Sequence, residues 1–372
     1  MKLIFHIDVN SAFLSWTACG LLEEGGADTP PTDIREIASV IGGSEKSRHG
    51  IVLAKSTLAK QYGIVTGEPL FQARRKCPGL VVVPPNYQLY VRKSDQLIRM
   101  LHEYTPLIQQ YSIDEAWMDM TGIQEAQADP MGFATGLKDR IHRELGFTVN
   151  IGISVNHLLA KMGSELQKPD RVHTLFPEEI PQKMWPLPVR DLLFLGKASE
   201  QKLIKAGIKT IGEMARYPET EIQRLLGEKT GHQLYEYANG RDDSPVRGER
   251  EEAKGYSAET TTEEDIVTYE QAFSLLLAQC DVVAARMRKD GKKCSCVSVT
   301  YRMLDFRTRS HQKKLGNPTD VTEEIFVQVK NLLYECWQCQ PLRLIGVALT
   351  DLTSDDFRQM SLFENTENHE KQ

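Results

Sequence analysis

Asp114 and Glu115 stand side by side in Tyr111-Ser112-Ile113-Asp114-Glu115, an otherwise apolar, strand-like stretch, and Asp8 ends the first strand-like run of the chain. Carboxylates at strand ends are costly to desolvate unless a cation takes up their charge. Mg²⁺ is a hard cation that prefers oxygen ligands and is usually held by one or two carboxylates together with substrate phosphates. Two such ions, about 3.5–4 Å apart, can clamp the attacking and leaving oxygens of an in-line phosphoryl displacement. Asp8, Asp114 and Glu115 are therefore candidate metal-holding and catalytic groups. A lone Asp-Glu pair is more commonly a solvated turn, so the chemical reading depends on the elements that bring the pair to Asp8.

Those elements are legible as hydrophobic periodicity. Residues 3–8 predict a buried strand and 11–22 a helix that starts directly after it. Its first residues, Asn10-Ser11-Ala12-Phe13, place a helix N-terminus beside Asp8, and the free N–H groups there suit a triphosphate. Residues 23–78 interrupt the rhythm with Gly25-Gly26, Pro30-Pro31, Gly42-Gly43 and Gly50, as a small insertion would. The pattern resumes with a helix over 88–105, strands over 107–113 and 116–120, a helix over 131–145 and a strand over 148–153. Without the insertion the order is β-α-β-β-α-β, a ferredoxin-like arrangement. It sets Asp114 and Glu115 at the start of a hairpin return beside Asp8, so that three acids can converge.

Short helices joined by glycine turns fill 170–240, a polar linker follows over 241–253, and a second β-α-β-β-α-β pattern runs over 254–353. Its strands are predicted near 254–260, 294–303, 305–315 and 343–352, and its helices near 269–289 and 321–337. At 372 residues the chain exceeds one compact core and should divide into two to four domains. No run approaches the 18 apolar residues of a membrane span, and Asp8 comes too early for a signal peptide. Seven scattered cysteines suit reduced thiols in a cytoplasmic protein. Cys294-x-Cys296 and Cys336-x-x-Cys339 match zinc spacing poorly and read better as buried or edge thiols.

The net charge of −6 argues mildly against nucleic acid, but its distribution matters more. Ten Lys or Arg lie between Arg286 and Lys314, against Asp290 and Asp305 only. Over 305–315, Arg307, Arg309, His311 and Lys313 alternate, which puts all four on one face of a strand, with Arg302 expected near them. Such a cationic stripe suits a phosphate backbone better than a merely solvated face. The tail over 354–372 is polar and acidic, yet carries Gln359-Met360-Ser361-Leu362-Phe363. Bulky apolar residues in a segment too polar to fold suit docking into a partner's pocket.

Tyr111-Ser112-Ile113-Asp114-Glu115 closely resembles the YSIDE motif of Y-family (lesion-bypass) DNA polymerases, and the similarity extends along nearly the whole chain. It implies that Asp8, Asp114, Glu115 and the carbonyl of Val9 hold two Mg²⁺ ions. Asn10, Ser11, Ala12 and Phe13 would then bind the incoming nucleotide, with Phe13 as the steric gate that excludes a 2′-hydroxyl. Gly152 to Pro169 is similar to the family's last palm strand and helix, which makes Lys168 a phosphate contact. Ile51 to Ile64 resembles the fingers. There Thr57 and Lys60 replace the Tyr and Arg of the polymerase IV branch, an arrangement similar to that of the polymerase V catalytic subunit. Lysine lacks the bidentate fork of arginine, so the exchange is not neutral.

Phe194-Leu195-Gly196-Lys197 resembles a helix-hairpin-helix turn but lacks its first glycine. Gln359, Leu362 and Phe363 look like the anchors of a bacterial sliding-clamp motif. Arg302, Arg307, Arg309 and Lys313 would lie along the duplex.

The resemblance implies an α+β, right-hand polymerase. Its parts are a ferredoxin-like palm (1–22 and 79–169), inserted fingers (23–78), a helical thumb (170–240), a little finger (254–353) and a clamp-binding tail (354–372). The expected protein is a monomeric, cytoplasmic enzyme acting on primer-template DNA and dNTPs. Two other readings stand beside it: a non-catalytic accessory protein that binds DNA and clamp, and a nucleotidyl cyclase with a palm-type site. The intact acids speak against the first. The basic stripe and clamp motif are not needed by the second.

Overall fold

The computed structural model describes residues 1–24, 32–44, 48, 50–248 and 252–354. Their contacts divide into two compact units, Met1–Gly43 with Ile51–Arg250, and Ser44–Gly50 with Glu251–Gln372.

The first unit begins with β1 (Ile4–Val9) and α1 (Ala12–Glu24), followed by β2 (Ser39–Gly42), β3 (Val52–Lys55), α2 (Thr57–Gln61), α3 (Leu70–Lys76) and β4 (Val81–Val83). After these come α4 (Tyr87–His102), β5 (Ile108–Gln110), β6 (Glu115–Asp119), α5 (Gln124–Ala128), α6 (Pro130–Leu145), β7 (Val149–Ser154), α7 (His157–Glu165) and β8 (Val172–Thr174). The main sheet has the order β5-β6-β1-β7-β8. Its first four strands realise the ferredoxin-like arrangement expected from the sequence, and β8 adds a parallel edge beside β7.

Because β1 is central, every one of its residues is buried. Alternation then separates two environments. Phe5, Ile7 and Val9 join the main core with Leu97, Leu101 and Leu137. Ile4 packs the opposite way with Trp117 and Ala160, and His6 and Asp8 share that parity, under α7. Gly152 allows α7 to lie this close. A Cβ there would sit 1.9 Å from the carbonyl oxygen of Ala160 and 2.3 Å from the amide of Ser164.

The insertion forms its own sheet, β3-β2-β4, over a small core of Val40, Val52, Ile64 and Leu70. β4 pairs in parallel with β2, so this sheet runs on to Val83, beyond the boundary at 78 expected from the sequence. The cause is a strand that returns to the insertion after the Cys77-Pro78 turn. Beyond β8 lie α8 (Ile180–Lys183), α9 (Lys197–Lys205), α10 (Ile211–Arg216), α11 (Glu219–Leu226) and α12 (Glu228–Ala238), sharing a core with Leu158, Leu159 and Met162 of α7. In the turn before α9 the residue at positive φ (64°) is Phe194, which occupies the place where a helix-hairpin-helix has its first glycine.

The second unit comprises β9 (Tyr256–Ile266), α13 (Tyr269–Lys289), β10 (Lys293–Met303), β11 (Thr308–Thr319), α14 (Thr322–Cys336) and β12 (Leu342–Thr353). The element order is again β-α-β-β-α-β, but the sheet order is β11-β10-β12-β9, antiparallel throughout. Val297, Val299, Tyr301, Ile345, Val347 and Leu349 point into a core with Leu276, Val283, Ile325 and Val329 of the two helices. Cys294 and Cys296 lie buried on β10. Among the described residues no helix is long and apolar enough to cross a membrane.

Candidate active site

Asp8 and Glu115 are register partners across β1 and β6, and the amide of Val9 donates to the carbonyl oxygen of Asp114 at 3.0 Å. The strand pairing therefore brings the three acids to one sheet end. They are not equivalent there. A cleft of about 430 Å³ is lined by Asp8, Val9, Asn10, Ser11, Ala12, Phe13, Thr57, Lys60, Asp114 and Lys168, with Leu53, Lys55 and Ser56 on its insertion side. Glu115 is not among the lining residues. Its Oε2 is turned onto Lys161 Nζ, in a very short ion pair, and onto His6 Nε2 at 3.2 Å. The three carboxylates thus meet at one sheet end, with Glu115 held there by two buried partners. Among the described residues no three acidic, histidine or cysteine side chains form a metal-holding group. A buried lysine on α7 holds one of the three acids.

Each acid has its own electrostatic setting. Burial pushes the Asp8 carboxyl up to about 6, against the pull of Lys168, whose Nζ lies 2.7 Å from Oδ1. Burial also acts on Glu115, but the hydrogen bonds from His6 and Lys161 outweigh it and hold that carboxyl down at about 2. Burial keeps His6 neutral, with its pKa lowered to about 4. Lys168 is disfavoured by burial, yet Asp8 and Glu165 together raise it above the ordinary lysine value. Asp114 accepts the Ser112 hydroxyl at 2.6 Å.

Hard oxygen donors in a buried setting, with an ammonium group already drawn onto one of them, fit a divalent cation. Mg²⁺ needs only one or two carboxylates when substrate phosphates complete its shell. Asp8, Asp114 and the Val9 carbonyl in the cleft, with Glu115 beside Asp8 across the strand pair, are the groups that would hold it.

α1 starts at the cleft floor, and its first amides lack intrahelical partners, as at every helix N-terminus. Ser11, just before it, has φ 48°. A non-glycine residue there is uncommon, and its place at the cleft mouth matches the tendency of backbone strain to gather at functional sites. Phe13 is half-buried and lies flat on Tyr90, with ring centroids 4.4 Å apart and planes within 8°, while Tyr87 meets it edge-on. Tyr90 in turn exchanges a hydrogen bond of 2.9 Å with the Thr17 hydroxyl. Sequence reasoning does not single out Tyr90, although its spacing from Asn86, which caps α4, marks it as inward-facing. His6 and Lys161 escape it too. Their signals are parity with Asp8 along β1, and a lysine inside an otherwise apolar helical run. Leu53 lines the cleft, whereas Ile51 does not.

The basic stripe is also rearranged. β11 starts at Thr308, so Arg307 lies in the preceding turn, paired with Asp305 at 2.5 Å. Arg309, His311 and Lys313 pair across the ladder with Tyr301, Val299 and Val297, so they take the helix-packed side of the sheet, beyond its helix-covered part. Arg302 is on the opposite face, bonded to Thr308 at 2.8 Å, together with Thr300, Ser298 and Lys314. Arg309, His311 and Lys313 thus share one face as expected, whereas Arg307 lies in the turn before the strand and Arg302 has the other parity. A groove of about 710 Å³ between β11 and α14 contains none of the cleft acids. Gln359, Leu362 and Phe363 lie outside the described residues.

The chain is similar to known proteins. Residues 7–165 match the impB/mucB/samB family, residues 253–362 its C-terminal domain, and residues 190–242 the thumb domain described for DNA polymerase-iota. A protein of Clostridium acetobutylicum named DNA polymerase IV is 47% identical, over 98% of this chain and 90% of its own length. Its namesake in Moorella thermoacetica is 37% identical over 88% and 82%. DNA polymerase IV 2 of Bacillus subtilis is 34% identical over 98% and 88%. A solved Y-family DNA polymerase chimera superimposes with a TM-score of 0.82 at 18% identity, covering 95% of this chain and all of the other, which concerns the fold alone. With this coverage, the chain belongs to the impB/mucB/samB family together with these DNA polymerase IV relatives, and it shares the α+β fold of a Y-family DNA polymerase.

Proposed function

We propose that the chain is a template-directed DNA polymerase that carries out translesion synthesis of low processivity, transferring nucleotides from dNTPs to a primer 3′-hydroxyl. The observation that carries this reading is the single cleft shared by Asp8, Asp114, the start of α1, Phe13, Lys60 and Lys168. The acids are hard ligands, the helix start and the two lysines suit a triphosphate, and Phe13 is a flat ring braced from behind by Tyr90. Bound divalent metal, two Mg²⁺ ions in our reading, would polarise the phosphoryl group and stabilise the attacking and leaving oxygens. The remaining work belongs to the chain itself. Lys168 offers its ammonium to the phosphates, Lys60 adds a point charge from the insertion, and Thr57 supplies a hydroxyl beside it. Asn10 to Ala12 present the helix start. Catalysis of this kind consists of positioning and charge neutralisation.

In this reading the first unit contains palm, fingers and thumb, and the second is the little finger. DNA would run along the sheet face not covered by helices, where Arg302 and Lys314 flank the hydroxyl cluster of Ser298, Thr300 and Ser310. Arg307 would act at the turn, and Arg309 and Lys313 from the strand edge. Such contacts position a duplex without reading its sequence. Gln359, Leu362 and Phe363 would dock on a bacterial sliding clamp, and the enzyme would act as a cytoplasmic monomer. Primer extension with Mg²⁺ tests the reading against both alternatives, since an accessory protein binds DNA without extending it and a cyclase converts nucleotide without primer. Leu362→Ala with Phe363→Ala tests the tail. Clamp-stimulated synthesis should disappear while single-nucleotide insertion persists, and continued stimulation would make the motif a chance match.

A further inference from the structure

We infer that His6 and Lys161 are positioning residues for Glu115: a buried bracket, assembled by pressing α7 onto the sheet, that fixes one carboxylate oxygen. The inference rests on the reading of Glu115 as a catalytic carboxylate.

Both donors meet the same atom. Lys161 Nζ and His6 Nε2 converge on Glu115 Oε2 from two different elements, α7 and β1. The side chains of both are almost wholly buried, and Lys161 also lies 5.5 Å from the Tyr111 ring centre. The proton on one ring nitrogen of His6 follows from its neighbour. An ionised carboxylate only accepts hydrogen bonds, so Nε2 must carry the proton that faces Oε2. The Ser164 hydroxyl lies 2.8 Å from Nδ1 and donates at 2.8 Å to the carbonyl oxygen of Lys161, so it links the imidazole to the turn of α7 that carries the lysine. Ser164 thus joins the imidazole to α7, and the imidazole in turn holds the carboxylate. Lys161 supplies the charge.

The bracket exists because of Gly152. Any larger residue would hold α7 off the strand at Ala160 and Ser164, on either side of Lys161. Asn150, the register partner of Asp8, ties the far end of the same helix through the carbonyls of Ser164 and Gln167 at 2.9 and 2.7 Å. With Oε2 occupied twice, Oε1 is the oxygen left to serve a cation or a reacting group. A ligand whose orientation is set by outer partners typically loses about 10–100-fold in metal affinity or activity when they are removed.

The test uses the full chain with Lys161→Met, which keeps the stem and removes the ammonium, Lys161→Arg, His6→Leu, and His6→Gln, which keeps an N–H donor. Glu115→Ala is measured alongside. Single-nucleotide insertion should fall about 10–100-fold in Lys161→Met and His6→Leu, with the dNTP KM nearly unchanged and partial rescue by Lys161→Arg and His6→Gln. Mn²⁺ binding to the complex of protein, dideoxy-terminated primer-template and dNTP, followed by electron paramagnetic resonance, needs no turnover. It should weaken in the same two variants, while their melting in EDTA shows whether the fold persists. Insertion and Mn²⁺ binding at wild-type levels in both variants, with Glu115→Ala inactive, would overturn the bracket. So would tighter Mn²⁺ binding with an undiminished rate in Lys161→Met, because Lys161 would then merely oppose the metal. If Glu115→Ala itself extends normally, the fault lies with the reading of Glu115 instead.

Discussion

The two units repeat one order of elements, β-α-β-β-α-β, and use it in opposite ways. In the first, β1 is central between β6 and β7, so a polar residue at its end is buried on a rigid floor, as Asp8 is. In the second, the corresponding β9 is an edge, β10 and β12 form the centre, and β11 is the other edge, with residues 308–314 exposed. A central strand end can hold a carboxylate at fixed geometry and raise the cost of leaving its charge uncompensated. An edge strand instead spreads charge over a surface, where each group is solvated and its contribution is additive and salt-dependent. Under the proposed function, chemistry belongs to the first arrangement and non-specific grip to the second.

The contrast makes graded predictions. The largest effect should come from the buried floor. Asp8→Ala or Asp114→Ala should lower primer extension on the order of 10³-fold or more, while primer-template affinity measured by anisotropy stays nearly the same. Near-normal extension by Asp114→Ala would remove the functional distinction between the two sheets.

Next is the gate. Phe13→Ala should admit ribonucleotides, so the ratio of dCTP to rCTP incorporation should collapse while dCTP use survives. The ring is held by its stack on Tyr90, so Tyr90→Leu should loosen discrimination in the same direction but less. An unchanged ratio in Phe13→Ala would return that ring to core packing.

On the surface the effects should be smaller and should depend on the face. Arg302→Ala with Lys314→Ala should reduce the slope of log affinity against log salt by roughly 0.9 for each phosphate that is no longer neutralised. Arg309→Ala with Lys313→Ala, on the helix-packed side, should reduce it less. The reverse ranking would mean that the duplex follows the strand edge.

The smallest effect concerns the hairpin before α9. Phe194 is 56% exposed and sits at φ 64°, which costs a bulky residue about 1–2 kcal/mol. Glycine removes that strain but adds unfolded-state freedom worth about 0.5–1 kcal/mol. Phe194→Gly should therefore stabilise the first unit by about 0.5–1 kcal/mol, a rise in Tm of roughly 1–4 °C. A fall in Tm would show that the ring contact with Tyr237 contributes more than the strain costs.

Much of this molecule is decided by local pattern. Periodicity places β1, α1, the hairpin of β5 and β6, α6 and β7 within a few residues, because these elements bury one face along a regular repeat. The motif residues Asp8, Asn10 to Phe13, Asp114 and Lys168 meet in one cleft because strand pairing and a short turn leave them little choice. Thr57 and Lys60 reach it from the insertion, where family likeness is the guide. Three things are settled only by tertiary packing. Strand order in the second sheet depends on which strands the two helices cover, and element order is silent about that. The facing of Arg302 and Arg307 depends on where the turn ends, and a shift of one residue reverses a side chain. The setting of Glu115 depends on a lysine and a histidine brought together from positions 161 and 6 by a helix that rests on a glycine. A one-dimensional pattern shows that such residues are buried, but not which buried partners they meet.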